Sequence, residues 1–155
     1  MTKSEILQEI TKAKIAHKRW VKRADHLISG LPIDKDFIPL DATICGFGKW
    51  LYSQGSKLRV IDATRYIIDE IEHHHDDIHA IYGEIYKIFF IVPQNRSLLN
   101  KVFTFNSKKV SKKELEHAKL YFKQLVHSSD ELLNLLDKLE ASSAHITYEQ
   151  LIAAN

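Results

Sequence analysis

Apolar and small side chains recur in steps of four and three along three long stretches of this chain, and that spacing restricts the fold more than any other feature. In residues 4–28 they fall at Ile6, Ile10, Ala13, His17, Trp20, Ala24 and Leu27, the seam of a helix packed in a bundle. Ser29-Gly30 closes this stretch, and Pro32 and Pro39 bracket an aperiodic connection. A second stripe comprises Ile61, Ile68, Ile71, His75, Ile78, Tyr82, Ile85 and Phe89. It predicts a helix that begins between Lys57 and Thr64 and ends near Ile91, ahead of Pro93. The third opens on a capping-box pattern, Ser111-Lys112-Lys113-Glu114, and places Leu115, Ala118, Phe122, Leu125, Ser129, Leu132, Leu136 and Leu139 on one face. A short helix is expected between the first two, capped by Asp41 or Thr43, running to about Tyr52 and closed by Gly55. Residues 93–110 read as a polar loop holding Val102, Phe103 and Phe105, with a partly helical segment as the alternative. Beyond Glu140 the chain turns Ala/Ser-rich, with a short terminal helix expected over Thr147 to Ile152. The fold expected is therefore all-α: an antiparallel four-helix bundle over residues 1–140, one of its helices short and carrying the cysteine, followed by a tail over 141–155.

Composition narrows the class. The 155 residues amount to about one domain, and five Gly with three Pro supply too few turns for an all-β fold. Lys plus Arg total 22 against 20 acidic residues, spread along the chain, so no nucleic-acid footprint is expected. The longest apolar run, Ile88 to Val92, is far too short to span a bilayer, and Met1 to Lys14 lacks the apolar core of a signal peptide. A single cysteine excludes an internal disulfide and fits a reducing compartment. A cytoplasmic protein without nucleic-acid or membrane partners is expected. The chain shows no Gly-rich phosphate loop, nucleophile elbow or paired buried carboxylates, so it does not read as an enzyme.

Nine histidines and the lone cysteine stand out against this background. An imidazole on a bundle seam must satisfy its nitrogens or leave them unpaired, at a cost of about 1–3 kcal/mol. One such residue is more often a hydrogen-bonded core histidine than a ligand. Here His17 and His75 sit on seams of different helices, and His79 follows His75 by one turn, a spacing that sets two imidazoles side by side. His26, His73, His74, His117, His127 and His145 lack such a placement and read as surface or supporting residues; Asp76 and Asp77 read as a solvated face, with a carboxylate that orients a ligating imidazole as the alternative. Cys45 is expected in the first turn of the short helix, where unpaired N–H groups favour the thiolate; the alternative is a small buried hydrophobe. Gly46 and Gly48 flank Phe47 and suggest that another backbone, or a compact site, approaches that face. Should His17, Cys45, His75 and His79 converge, three nitrogens and one sulfur would make a closed, four-coordinate zinc site.

Three segments together resemble a known family. They are His17-Lys18-Arg19-Trp20, Cys45-Gly46-Phe47-Gly48-Lys49-Trp50 and His75-Asp76-Asp77-Ile78-His79, with 28 residues from His17 to Cys45 and 30 from Cys45 to His75. This arrangement resembles the chemoreceptor zinc-binding (CZB) domain of bacterial signalling proteins, over about Ile6 to Glu140. The resemblance implies a four-helix bundle, often homodimeric, that holds one zinc through His17, Cys45, His75 and His79, with Trp20, Phe47, Gly48 and Trp50 packed around it. It further implies a regulatory domain that senses zinc or, through the cysteine, oxidants such as hypochlorous acid. The partner implied is a chemoreceptor or a diguanylate cyclase. The chain leaves no room for an output domain beside the bundle, so either docking to a separate receptor or cyclase or simple buffering of zinc is expected. Two other readings are a hemerythrin-like di-iron bundle, which would need more bridging carboxylates, and a metal-free interaction bundle whose histidines are all structural.

Overall fold

A computed structural model describes residues 1–31, 33, 39–91 and 110–154. Most of the 93–110 loop, with Val102, Phe103 and Phe105, lies outside the described residues, as does Pro32. The described residues form an all-α bundle: α1 (Lys3–Ile28), α2 (Gly46–Leu51), α3 (Asp62–Phe90), α4 (Lys112–His145) and α5 (Tyr148–Ala153), with a 3-10 helix over Gly55–Val60. No strand occurs among them.

The ends of these helices follow from local side chains. Thr2 and Glu5 form a capping box that opens α1, Ser111 and Glu114 do the same for α4, and Thr147 and Gln150 for α5. At the C-terminus of α1, Gly30 adopts φ 81°, the left-handed conformation that lets the chain leave the helix without a Cβ clash. The buried face of α1 is Ile6, Ile10, Ala13, His17, Trp20, Ala24 and Leu27, the stripe read from the sequence.

Side-chain contacts give the helix directions. Lys3 donates to the Ala144 carbonyl, and Lys14 meets Asp137 and Glu140 further along, each at 2.5 Å, so α1 and α4 are antiparallel. His17 faces His75, and Trp20 faces His79 and Tyr82, so α1 and α3 run in one direction and meet through these large side chains. Helix α2 packs against α1, and Cys45 at its N-terminus reaches His75 of α3.

Two boundaries differ from the sequence reading. The short helix starts at Gly46 with Cys45 as its N-cap. Asp41 instead accepts from the backbone N–H and hydroxyl of Thr43 (2.8 and 2.7 Å), a local turn ahead of the helix. Helix α4 continues past Glu140 to His145, because Ala and Ser do not oppose a helix whose last turns still bury Leu139 and Ser143.

Candidate metal centre

The middle of the α1–α3 seam is polar. His17 and Trp20 come from α1, and His75 and His79 from α3; all three imidazoles are buried. The Nδ1 of His17 lies 2.8 Å from the Ala13 carbonyl one turn back. A carbonyl only accepts, so Nδ1 carries the proton and Nε2 keeps its lone pair. That Nε2 is buried and has no hydrogen-bond partner, nor has Nδ1 of His75, nor either ring nitrogen of His79.

Cys45 approaches from α2. Its sulfur accepts from the Gly48 backbone N–H at 3.1 Å and lies 3.2 Å from His75 Nε2. The ligand atoms of Cys45, His75 and His79 all lie within 4.8 Å of one another. His17 borders this trio, with its ring centre 5.6 Å from that of His75; the rings of His75 and His79 are 4.7 Å apart. Phe47 meets His17 and His75 edge-on at 5.5 and 5.2 Å, and Trp20 meets His79 at 4.4 Å. These rings wall the cluster from water.

Gly48 is needed for the approach of Cys45. A Cβ there would sit 1.8 Å from the Ala42 carbonyl oxygen and 3.2 Å from a carbon of the His75 ring. The close backbone expected near the glycine pair is thus Ala42, and only Gly48 faces it; a Cβ at Gly46 would meet open space.

Burial sets the protonation of the group. It lowers the pKa of His17 to about 4 and that of His75 to about 3, the latter with help from His79 and His17. Burial also lowers His79, opposed by the backbone of Leu40 and Pro39 and by Asp76 and Asp41; that backbone lies near without completing a hydrogen bond. The imidazoles are therefore neutral near pH 7, the state in which they ligate metal. For Cys45 the sequence reading requires correction. Burial raises its pKa, outweighing the N–H groups of Gly48 and Phe47 and the charge of Lys49, so the free side chain is a thiol.

Unpartnered nitrogens at one buried place, beside a sulfur, fit a metal ion better than any internal arrangement, since each left unpaired costs about 1–3 kcal/mol. Nitrogen and sulfur donors suit zinc. Residues 17–86 match the family model of the chemoreceptor zinc-binding domain, a span that opens on His17 and contains Cys45, His75 and His79. Over this stretch the chain is similar to that family. No curated protein and no solved structure matches the chain. A chemoreceptor zinc-binding domain binds zinc in signalling proteins, and Cys45, His75 and His79 lie close together here as possible ligands. No helix among the described residues is long and apolar enough to cross a membrane.

Other residues around this cluster take lesser places. His73 is exposed beside Asp77 at 3.5 Å, while His74 is half-buried with Nδ1 lacking a partner. His117, His127 and His145 are exposed and His26 is half-buried. Asp76 is more than a solvated charge, because the Tyr52 hydroxyl donates to it at 2.5 Å. Burial and that carboxylate both push the Tyr52 pKa upward, so the hydroxyl keeps its proton. No sequence signal joins these two residues.

Proposed function

We propose that His17, Cys45, His75 and His79 hold one zinc ion in a closed, four-coordinate site. In this reading the domain reports zinc occupancy, or oxidation of Cys45, to a chemoreceptor or diguanylate cyclase. The supporting observation is the group of buried imidazole nitrogens without partners, gathered around a thiol that caps a six-residue helix. When bound, zinc supplies a tetrahedral demand that joins α1, α2 and α3, so binding free energy adds to folding free energy.

The chain's own residues prepare that site. The Ala13 carbonyl holds the Nδ1 proton of His17 and leaves Nε2 with its lone pair as the atom that would bind. His75 and His79 offer their nitrogens from successive turns of α3. Cys45 must release its proton on binding, so zinc affinity falls as the solution becomes more acidic. Four protein ligands leave no place for an activated water, which favours a regulatory role over hydrolysis. Oxidation of the Cys45 sulfur to a sulfenic acid removes one donor. The N-terminal end of α2 is then released, and that displacement is the proposed output. The same reading makes the working form a cytoplasmic homodimer.

Elemental analysis of the purified protein tests the ligand set. One zinc per chain is expected in the native protein, and none in a Cys45→Ala plus His79→Ala variant. Unchanged zinc in that variant overturns the assignment.

A further inference from the structure

Helix α2 is fastened to α3 at both of its ends. At its N-terminus the Cys45 sulfur faces His75, and at its C-terminus the Tyr52 hydroxyl donates to Asp76, the next residue of α3. The C-terminal side is further secured. Leu51 and Leu58 are buried, Trp50 packs over Gly55, where a Cβ would lie 2.9 Å from the indole, and Arg59 pairs with Asp69 and Glu72. On the N-terminal side Asp41, Thr43 and Ile44 are exposed, Phe47 packs edge-on against His17 and His75, and the Cys45 sulfur makes the polar contact with α3.

We infer that the Tyr52–Asp76 hydrogen bond is the positioning contact of the zinc site: it holds α2 at the distance and angle from α3 that bring the Cys45 sulfur to the histidines. Tyr52 touches no metal in this account and acts through Cys45. Six residues of helix span only about 9 Å, so an error at the Tyr52 end passes directly to the sulfur. The same contact serves as the pivot when Cys45 lets go, because it does not depend on the thiol. This inference rests on the ligand set proposed above.

The experiment measures zinc dissociation constants by competition with a chromophoric chelator, together with melting of the zinc-free forms. Tyr52→Phe removes the donor without changing charge. It is expected to weaken zinc about 10-fold or more, as loss of a contact that orients a ligand does, while zinc-free melting changes little. In an Asp76→Ala background the same change is expected to cost less than about two-fold, because the bond is already gone. Tyr52→Phe binding zinc as tightly as the native chain overturns the inference, as does an equal loss in both backgrounds. A lowered zinc-free melting temperature with unaltered zinc affinity also overturns it, since that marks a purely structural contact. Cys45→Ala is measured alongside. If it leaves affinity unchanged, the ligand set fails; if it weakens zinc while Tyr52→Phe does not, the positioning role fails alone.

Discussion

The buried stripe of α4 and the middle of the α1–α3 seam are equally dry but unequally complete. Between Leu125 and Leu139 the α4 stripe is mainly leucine, fully buried at Leu125, Leu132, Leu136 and Leu139. Hydrocarbon asks for no partner, so this face is finished by packing alone, at about 1.5–3 kcal/mol for each fully buried side chain. The α1–α3 seam carries His17, His75 and His79 at positions of comparable burial and leaves nitrogens of all three unpartnered. One region stabilises the fold; the other withholds stability until something binds.

The sharpest way to break that contrast is to exchange the character of the two seams. Leu132→Ala should cost about 2–5 kcal/mol through lost burial and a residual cavity, with and without zinc alike, leaving the zinc-induced rise in melting temperature intact. His75→Leu should do the reverse. Its zinc-free form should melt at or above the native zinc-free form, because a buried imidazole whose Nδ1 lacks a partner has been replaced by hydrocarbon. Addition of zinc should then no longer raise its melting temperature. Calorimetric melting with zinc and with chelator decides; a zinc-free His75→Leu that melts well below the native chain would show that the histidine seam is already satisfied.

A smaller effect sharpens the geometry of the incomplete seam. Gly48→Ala puts a Cβ against the Ala42 carbonyl, so either residues 41–45 or α2 must move. Overpacking of this kind costs about 1–3 kcal/mol. Because the displaced segment holds Cys45, zinc affinity should fall along with stability. Gly46→Ala serves as the control: it meets nothing within 4 Å and should bind zinc as the native chain does. Equal behaviour of the two variants in a zinc titration would remove Gly48 from the site's architecture.

The legible and illegible parts of this protein divide along physical lines. Helix faces show in sequence because burial repeats with the helical period, and every seam position read on α1, His17 included, is buried. His75 and His79 share a face for the same local reason. The start of α2 was obscured because three residue types able to cap a helix lie within five positions, and the sulfur of Cys45 prevails over the oxygens of Asp41 and Thr43. The state of the Cys45 thiol was obscured because the helix-end effect is visible in sequence, whereas the opposing burial exists only after α1, α2 and α3 have packed. The Tyr52–Asp76 bond joins residues 24 apart, and no local pattern encodes such a pairing. Continuation of α4 beyond Glu140 was hidden by Ala and Ser, which carry little periodic signal.

Acid separates the two seams once more. His17 and His75 have pKa values near 4 and 3 in the folded chain against 6.5 when exposed. Between those limits the unfolded chain binds more protons than the folded one, so stability rises with pH there and levels off above about 6.5. Each such group changes stability by at most about 1.4 kcal/mol per pH unit within its window. Zinc-free native protein should therefore lose stability as pH falls from 6.5 toward 4, and His75→Leu should lose it less steeply. Leu132→Ala should keep the native slope from its lower starting point, because leucine does not titrate. Denaturant melts across pH 4 to 7.5 measure all three slopes. If His75→Leu and the native chain fell in parallel, His75 would not be held neutral by burial, and the contrast between a finished and an unfinished seam would lose its electrostatic half.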